Sequence, residues 1–278
     1  MIFKIRHTLS YAYAAPAMLG PQAIRLRPRE DGGQHLLDFV LRISPQPSLR
    51  SPCLDEDGNV AEHAWFLGAT RSLEMTAEST VETLRQNPYD FVIDAAYSAL
   101  PWDRRLGTSH PGTAYALLGP VEPEAAALAE ALRKEGGGEA LPFLLRLNRW
   151  IHEKIAYEVR PEGLPYAAAE TLQAGRGACR DLAVLFCAAA RSQGIPARFV
   201  SGYHEGDPDL RSKELHAWAE VFLPGAGWRG FDPSTSLACG DRHLALAASP
   251  DPAGAAALSG RFGSATADSK LTAEVLFL

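Results

Sequence analysis

The sequence predicts an α+β protein, an N-terminal antiparallel β-sandwich followed by an α+β core. Three observations carry that expectation. Apolar residues alternate with period two up to about Arg85, three helical segments follow, and strands return after the helices without regular alternation. The last point excludes a doubly wound parallel sheet. At 278 residues the chain suits two domains, expected as a β-rich domain over 1–105 and a second domain over 106–278 that includes a C-terminal extension.

In the first domain Phe3, Ile5 and His7 share one side of IFKIRHTL. Leu37, Phe39, Leu41 and Ile43 share one side of LLDFVLRI, and Leu73, Met75 and Ala77 one side of SLEMTAEST. The separating stretches RPREDGG, SPQPS and DEDGN carry the Pro, Gly, Asp and Asn that turns require. DEDGNV alternates Asp55, Asp57 and Asn59 like calcium ligands, but Gly58 comes fourth where an EF-hand loop needs it sixth, so a hairpin turn is expected.

Residues 89–102 connect the halves, and DRRLGTSHPG reads as an irregular linker. EPEAAALAEALRKEGGG has the acidic start, alanine-rich body, basic end and glycine stop of a helix. In ALPFLLRLNRWIHEKIAYE, Leu144, Leu147, Ile151 and Ile155 recur at three- and four-residue spacing. A third helix starts at Cys179 and is closed by Gly194 and Pro196. IPARFVSGYH reads as a strand, HAWAEVFL and WRGF as a hairpin around PGAG, and KLTAEVLFL as a closing strand after an alanine- and glycine-rich loop region.

The formal net charge of -6 disfavours a basic groove for nucleic acid. No segment approaches the roughly 18 apolar residues of a membrane span, and Lys4, Arg6 and His7 interrupt the apolar start, so no secretory signal core is expected. A cytoplasmic location is the resulting expectation. Cys53, Cys179, Cys187 and Cys239 form no C-x-x-C pair, which argues against a structural zinc site and a disulfide framework. Neither metal nor organic cofactor is expected.

Cys179 stands where GRGACRDL turns from a glycine-bearing loop into the apolar run AVLFCAAARSQG. A helix start leaves N–H groups unpaired and carries partial positive charge, so a thiol there ionises more easily. Such a nucleophile needs a base, and the base an orienting group. His216 opens HAWAEVFL and Asp232 closes WRGFD. If the turn pairs Phe222 with Trp228, Asp232 lies diagonally from His216 on one side of the sheet, at roughly 7–8 Å between backbones. A shift by one residue separates them. His7, His35, His63, His110, His152, His204 and His243 are read as surface or packing residues, and Cys187 as core. Asp181 favours the helix start but opposes thiolate formation, with Arg180 available to offset it. Trp218 and Tyr203 are candidates to line a cleft, although burial is the commoner role of a strand aromatic.

GRGACRDLAVLFCAAARSQGIPARFVSGY and HAWAEVFLPGAGWRGFDPS together resemble the bacterial transglutaminase-like proteins, a branch of the papain-like cysteine enzyme superfamily. The shared pattern is Gly-x-Cys-x-Asp at a helix start, then Gly-Ile-Pro-Ala-Arg, Ser-Gly-Tyr, His-Ala-Trp and Gly-Trp-x-x-Phe-Asp-Pro. The resemblance is specific over 170–235 and extends to the β-rich N-terminal half, while GDRHLALAASPDPAGAAALSG resembles the family's C-terminal extension. It implies a papain-like/transglutaminase-like core with Cys179 as nucleophile, His216 as general base and acid, and Asp232 as orienting carboxylate. Such a triad acts on a peptide or protein substrate at an amide bond through a thioester acyl-enzyme. The Cys179 N–H would supply one oxyanion contact and Gln173, six residues earlier, the second. Hydrolysis, as protease or amidase, is preferred to protein-glutamine crosslinking with an amine acceptor; a noncatalytic peptide-binding module is the alternative of a different class.

Overall fold

The computed structural model describes residues 1–103, 115, 122–160, 163–210, 212–263 and 269–278. Beyond Asp103 the expected linker DRRLGTSHPG lies outside them, as does His110. The N-terminal strands are β1 (Ile2–Ile24), β2 (Gln34–Ser44), β3 (Leu49–Leu54), β4 (Val60–Trp65) and β5 (Ala69–Thr83). The first half of β1 pairs with β5; a register shift between Ala12 and Ala17 follows, around Pro16, which has no N–H to give a ladder. Past the shift β1 pairs with β4. DEDGN forms the β3–β4 turn, as expected.

One expected face is corrected. β2 shifts register between Leu36 and Asp38, so Leu36 points inward and Leu37, at 48% exposure, points out. A bulge inserts one residue and flips the alternation, which period-two counting alone misses.

The second half carries α1 (Pro123–Glu135) and α2 (Ala140–Lys154), then the short parallel pair β6 (Ala156–Tyr157) and β7 (Arg176–Gly177) around α3 (Ala168–Ala174), and α4 (Cys179–Ser192). Next come β8 (Ala197–His204), β9 (Ser212–Lys213), β10 (His216–Leu223), β11 (Gly227–Asp232), β12 (Leu237–Ala238) and β13 (His243–Ser249). Five of these form one antiparallel sheet in the order β12-β11-β10-β8-β13. Leu144, Leu147 and Ile151 of α2 meet Leu182, Leu185 and Phe186 of α4, and the cluster continues onto Ala219, Val221 and Phe231 of the sheet. The spacing that predicted amphipathic helices thus becomes the shared core of helices and sheet.

The chain closes with β14 (Leu258–Gly263) and β15 (Ser269–Phe277), which both pair with β1, while β9 pairs with β15. The tail expected within 106–278 therefore completes the first sheet. The sandwich is realised as one eight-stranded antiparallel sheet bent as a half-barrel about its long first strand. Two amides tie the halves together at β13, an edge strand. Gln34 bonds both the N–H and the C=O of Ala245, and Asn59 both groups of Ala248. Edge groups that would otherwise be buried without partners are satisfied by the neighbouring domain. Among the described residues no helix is long and apolar enough to cross a membrane.

Candidate active site

Cys179 is the first residue of α4, buried against Ala183, Phe199 and Ala217. The preceding cap residue is Ala178, which has no polar side chain to cap the helix. Asp181 replaces that function. Its Oδ2 accepts from Ala178 N–H at 2.8 Å, and its Oδ1 accepts from Tyr166 N–H at 2.8 Å and from Arg160 Nη2 at 2.6 Å. The side chain is fully buried. At Gly177 a Cβ would come within 2.9 Å of Asp181 Cβ, so glycine is what lets the loop pass. Gly-x-Cys-x-Asp is thus one mechanical unit that clamps the turn before the sulfur and the loop holding Arg160 and Tyr166. The cation on Asp181 comes from 21 residues upstream, a partner no local pattern announces.

Across from the helix start, β10 and β11 pair as Phe222↔Trp228, the register assumed from sequence. His216 Nε2 donates to Asp232 Oδ2 at 2.9 Å, and Cys179 lies near enough to the ring to act on its charge. Burial alone would lower the imidazole pKa. The hydrogen bond and charge of Asp232, and then the nearby Cys179, outweigh it and raise the pKa to about 10. Despite its own burial, the Asp232 carboxyl is held well below its ordinary range by His216 and then by His243. Its second oxygen is also occupied: Oδ1 accepts from Ser234 N–H at 2.9 Å and Ser234 Oγ at 2.7 Å. The Asp-Pro-Ser turn and the orienting carboxylate are the same residue used twice.

Two of the histidines read as surface or packing residues, His204 and His243, pack against this cluster. His243 Nε2 lies 3.3 Å from the same Asp232 Oδ2, and His204 stacks on His243 with ring centroids 4.3 Å apart at 17°. Strand order is the reason: His204 faces His243 directly on β13 and lies two residues from Gly202, the partner of His216. Burial first, then His243 and His216, lower the His204 pKa to about 4. Tyr157 was also missed. Half-exposed on β6 beside Gly177, its phenol is pushed up to about 12 by burial and then by Cys179, Glu214 and Asp232. Its only sequence signal is a two-residue strand after α2, too short to detect by periodicity. Ligand atoms of His204, His216 and Asp232 lie within 4.8 Å of one another, a grouping able to hold a metal ion, although a proton already joins two of them.

The cleft candidates sit elsewhere. Trp218 is buried with its ring 6.3 Å from His216 and 5.4 Å from His243, forming a floor under the imidazoles. Gly202 makes room for that floor, since a Cβ there would meet the Trp218 ring at 2.6 Å and overlap the Leu244 carbonyl. Tyr203 is buried at the joint with β1, its hydroxyl 3.1 Å from His7 Nδ1. Both aromatics take the packing role. Gln173 is exposed on the last turn of α3, separated from Cys179 by the left-handed Gly175 (φ 64°) and β7. Cys187, in the middle of α4, is core as expected, and burial pushes its thiol up to about 11. The row of sulfur, imidazole and carboxylate can take a proton from sulfur, keep it on the ring and release it to a departing group.

Residues 126–233 match the model of the transglutaminase-like superfamily, and residues 3–82 that of the bacterial transglutaminase-like N-terminal region. An uncharacterized protein of Mycobacterium leprae is 27% identical over 272 residues, covering 92% of this chain and 91% of the relative. A protein-glutamine gamma-glutamyltransferase of Pseudomonas aeruginosa is 26% identical over 239 residues, which span 81% of this chain and 33% of that protein. Among solved structures, a candidate cysteine protease from Cytophaga hutchinsonii shares the fold, with a TM-score of 0.70 at 21% identity over 100% of this chain and 98% of that one.

Proposed function

Because the chain belongs to the transglutaminase-like superfamily of cysteine enzymes, we propose that it is a hydrolase of amide bonds in peptides or proteins, working through Cys179, His216 and Asp232. The observation that supports this reading best is His216 hydrogen-bonded at 2.9 Å to the buried Asp232 carboxylate, with Cys179 at the start of α4 near the same ring.

The Cys179 thiolate attacks the carboxamide carbon and a C–S bond forms. His216, protonated, gives its Nδ1 proton to the leaving nitrogen, the C–N bond breaks, and a thioester remains. Neutral His216 then takes a proton from water, whose oxygen attacks the thioester and returns the sulfur. Asp232 stays ionised throughout, holding Nε2–H and keeping Nδ1 turned toward sulfur. The Cys179 amide at the start of α4 supplies one oxyanion donor, and Gln173 is proposed as the second.

Transfer to an amine is the second reading, favoured by the name of the Pseudomonas relative. Both reactions share the acyl-enzyme and differ in what reaches it second. Incubation with a glutamine-containing peptide and a labelled primary amine separates them. Release of ammonia or fragments without label supports hydrolysis, stable label supports transfer, and turnover that survives Cys179→Ala overturns both. A cytoplasmic location is also proposed, on the four unpaired cysteines, which suit a reducing compartment; recovery from the extracytoplasmic fraction of cells would refute it.

A further inference from the structure

The Asp232 carboxylate has an acceptor load larger than a triad needs. Oδ1 takes both donors of Ser234, and Oδ2 takes His216 at 2.9 Å and His243 at 3.3 Å. His243 comes from a different strand, β13, on the same face of the sheet as His216, with 3% of its side chain exposed. Its ring is held on two sides, stacked on His204 at 4.3 Å and met by the edge of Trp218 at 5.4 Å and 75°.

The tautomer follows from its surroundings. An ionised carboxylate only accepts, so the proton of His243 must sit on Nε2 for that contact to be a hydrogen bond. His243 Nδ1 is buried without a partner. A bare lone pair there costs less than an N–H aimed at nothing, so the same tautomer is favoured from both ends of the ring. Removing the Nε2–H would leave Oδ2 with one donor in a dry setting.

We propose that His243 is a fourth, positioning member of the site: its Nε2–H fixes the Asp232 carboxylate and draws charge from Oδ2, so that His216 is aligned on Cys179 and still able to release its proton. This rests on the Cys179, His216 and Asp232 reading and adds a residue to it. The groups that face the His216–Asp232 pair are Cys179 on α4, Tyr157 on β6, His204 on β8, Cys239 after β12 and His243 itself, with Glu214 before β10 acting on Tyr157. Among them His243 is the one placed to donate to Oδ2.

The test follows iodoacetamide alkylation of Cys179 against pH, together with turnover of an amide substrate, in three variants. His243→Phe keeps a ring and removes the donor. His243→Gln restores an N–H at about the reach of Nε2. Asp232→Ala controls for the triad itself. In His243→Phe, Oδ2 regains basicity, so the limb that reports loss of the imidazolium proton should move to higher pH. Its kcat should fall about tenfold with KM nearly unchanged, and His243→Gln should recover most of both. A His243→Phe profile and kcat equal to wild type, or a Gln variant as impaired as Phe, overturns the inference. If Asp232→Ala shifts the profile and His243→Phe does not, the triad stands and only the fourth member falls. If neither shifts it, the triad reading itself fails. Should His243→Phe not fold, long-range proton–nitrogen correlation of the wild-type protein decides: protonated Nε2 and bare Nδ1 on His243 support the inference, and the opposite tautomer overturns it.

Discussion

The first turn of α4 and its middle carry the same side chain in two chemical settings. Cys179 lies where the helix amides have no intrahelical acceptor, near the ring of His216. Cys187, two turns on, packs in the apolar cluster with Phe186 and Ala190, and burial moves its thiol upward. Residue type and helix are constant, so the difference is position along the axis and what the adjoining sheet brings to it. The fold sets one thiol at a helix start near an imidazole and encloses the other in apolar packing, and thiol reactivity depends on that kind of difference in setting.

The widest contrast is in turnover. Cys179→Ala should lower it by at least about 1,000-fold while leaving a cooperative thermal transition. Cys187→Ala should leave turnover within about twofold and lower stability by about 1 kcal/mol through a small cavity. Amide turnover and urea titration of both variants measure the pair, and equal alkylation rates at the two thiols would erase the contrast.

Asp181→Ala tests how the reactive end is held. It removes three acceptor contacts and leaves Arg160 and the amides of Ala178 and Tyr166 without this carboxylate, so urea unfolding should report a loss of about 3 kcal/mol. A loss below about 1 kcal/mol would show that the clamp is not what holds the turn.

The His216–Asp232 pair should stabilise the fold over a limited pH window. The carboxyl is depressed below its ordinary 3.8, so its contribution is present above that value and is lost as pH falls through the folded value. The imidazole is raised from 6.5 to about 10, so its contribution is complete below 6.5 and fades as pH rises toward 10. The stability gap between wild type and Asp232→Asn should therefore be widest between about pH 4 and 6.5, and narrower at about pH 9, by urea midpoints. A gap that widens at the higher pH contradicts the pairing.

The smallest effect is expected at Gln173. Loss of one oxyanion donor at an exposed position should lower kcat about fivefold with KM little changed, a milder loss than the removal of a fully buried donor. Steady-state kinetics of Gln173→Ala check it, and an unchanged kcat removes Gln173 from the site.

These contrasts also mark how far the chain can be read without coordinates. The α4 start was legible because glycine, cysteine and aspartate stand within five residues, and the Phe222↔Trp228 register because the turn PGAG leaves few ways to pair its flanks. Leu37 was misread because a bulge changes the phase of alternation without changing composition. His243 and His204 were passed over because each is an isolated histidine in its own segment. They become neighbours when β13 docks beside β8, and nothing within either segment encodes that pairing.

Local order, then, was written in the chain: helix starts and stops, strand alternation, the hairpin register, and the residues that end those elements at His216 and Asp232. Such features depend on interactions between residues a few positions apart, which leave a periodic or capping signature. Long-range assembly was not: the tail strands closing onto β1, Arg160 reaching Asp181, Trp218 set under the imidazoles, and a second histidine on Asp232. Those contacts join segments that share no local pattern, and packing with hydrogen-bond satisfaction selects among many ways of bringing them together.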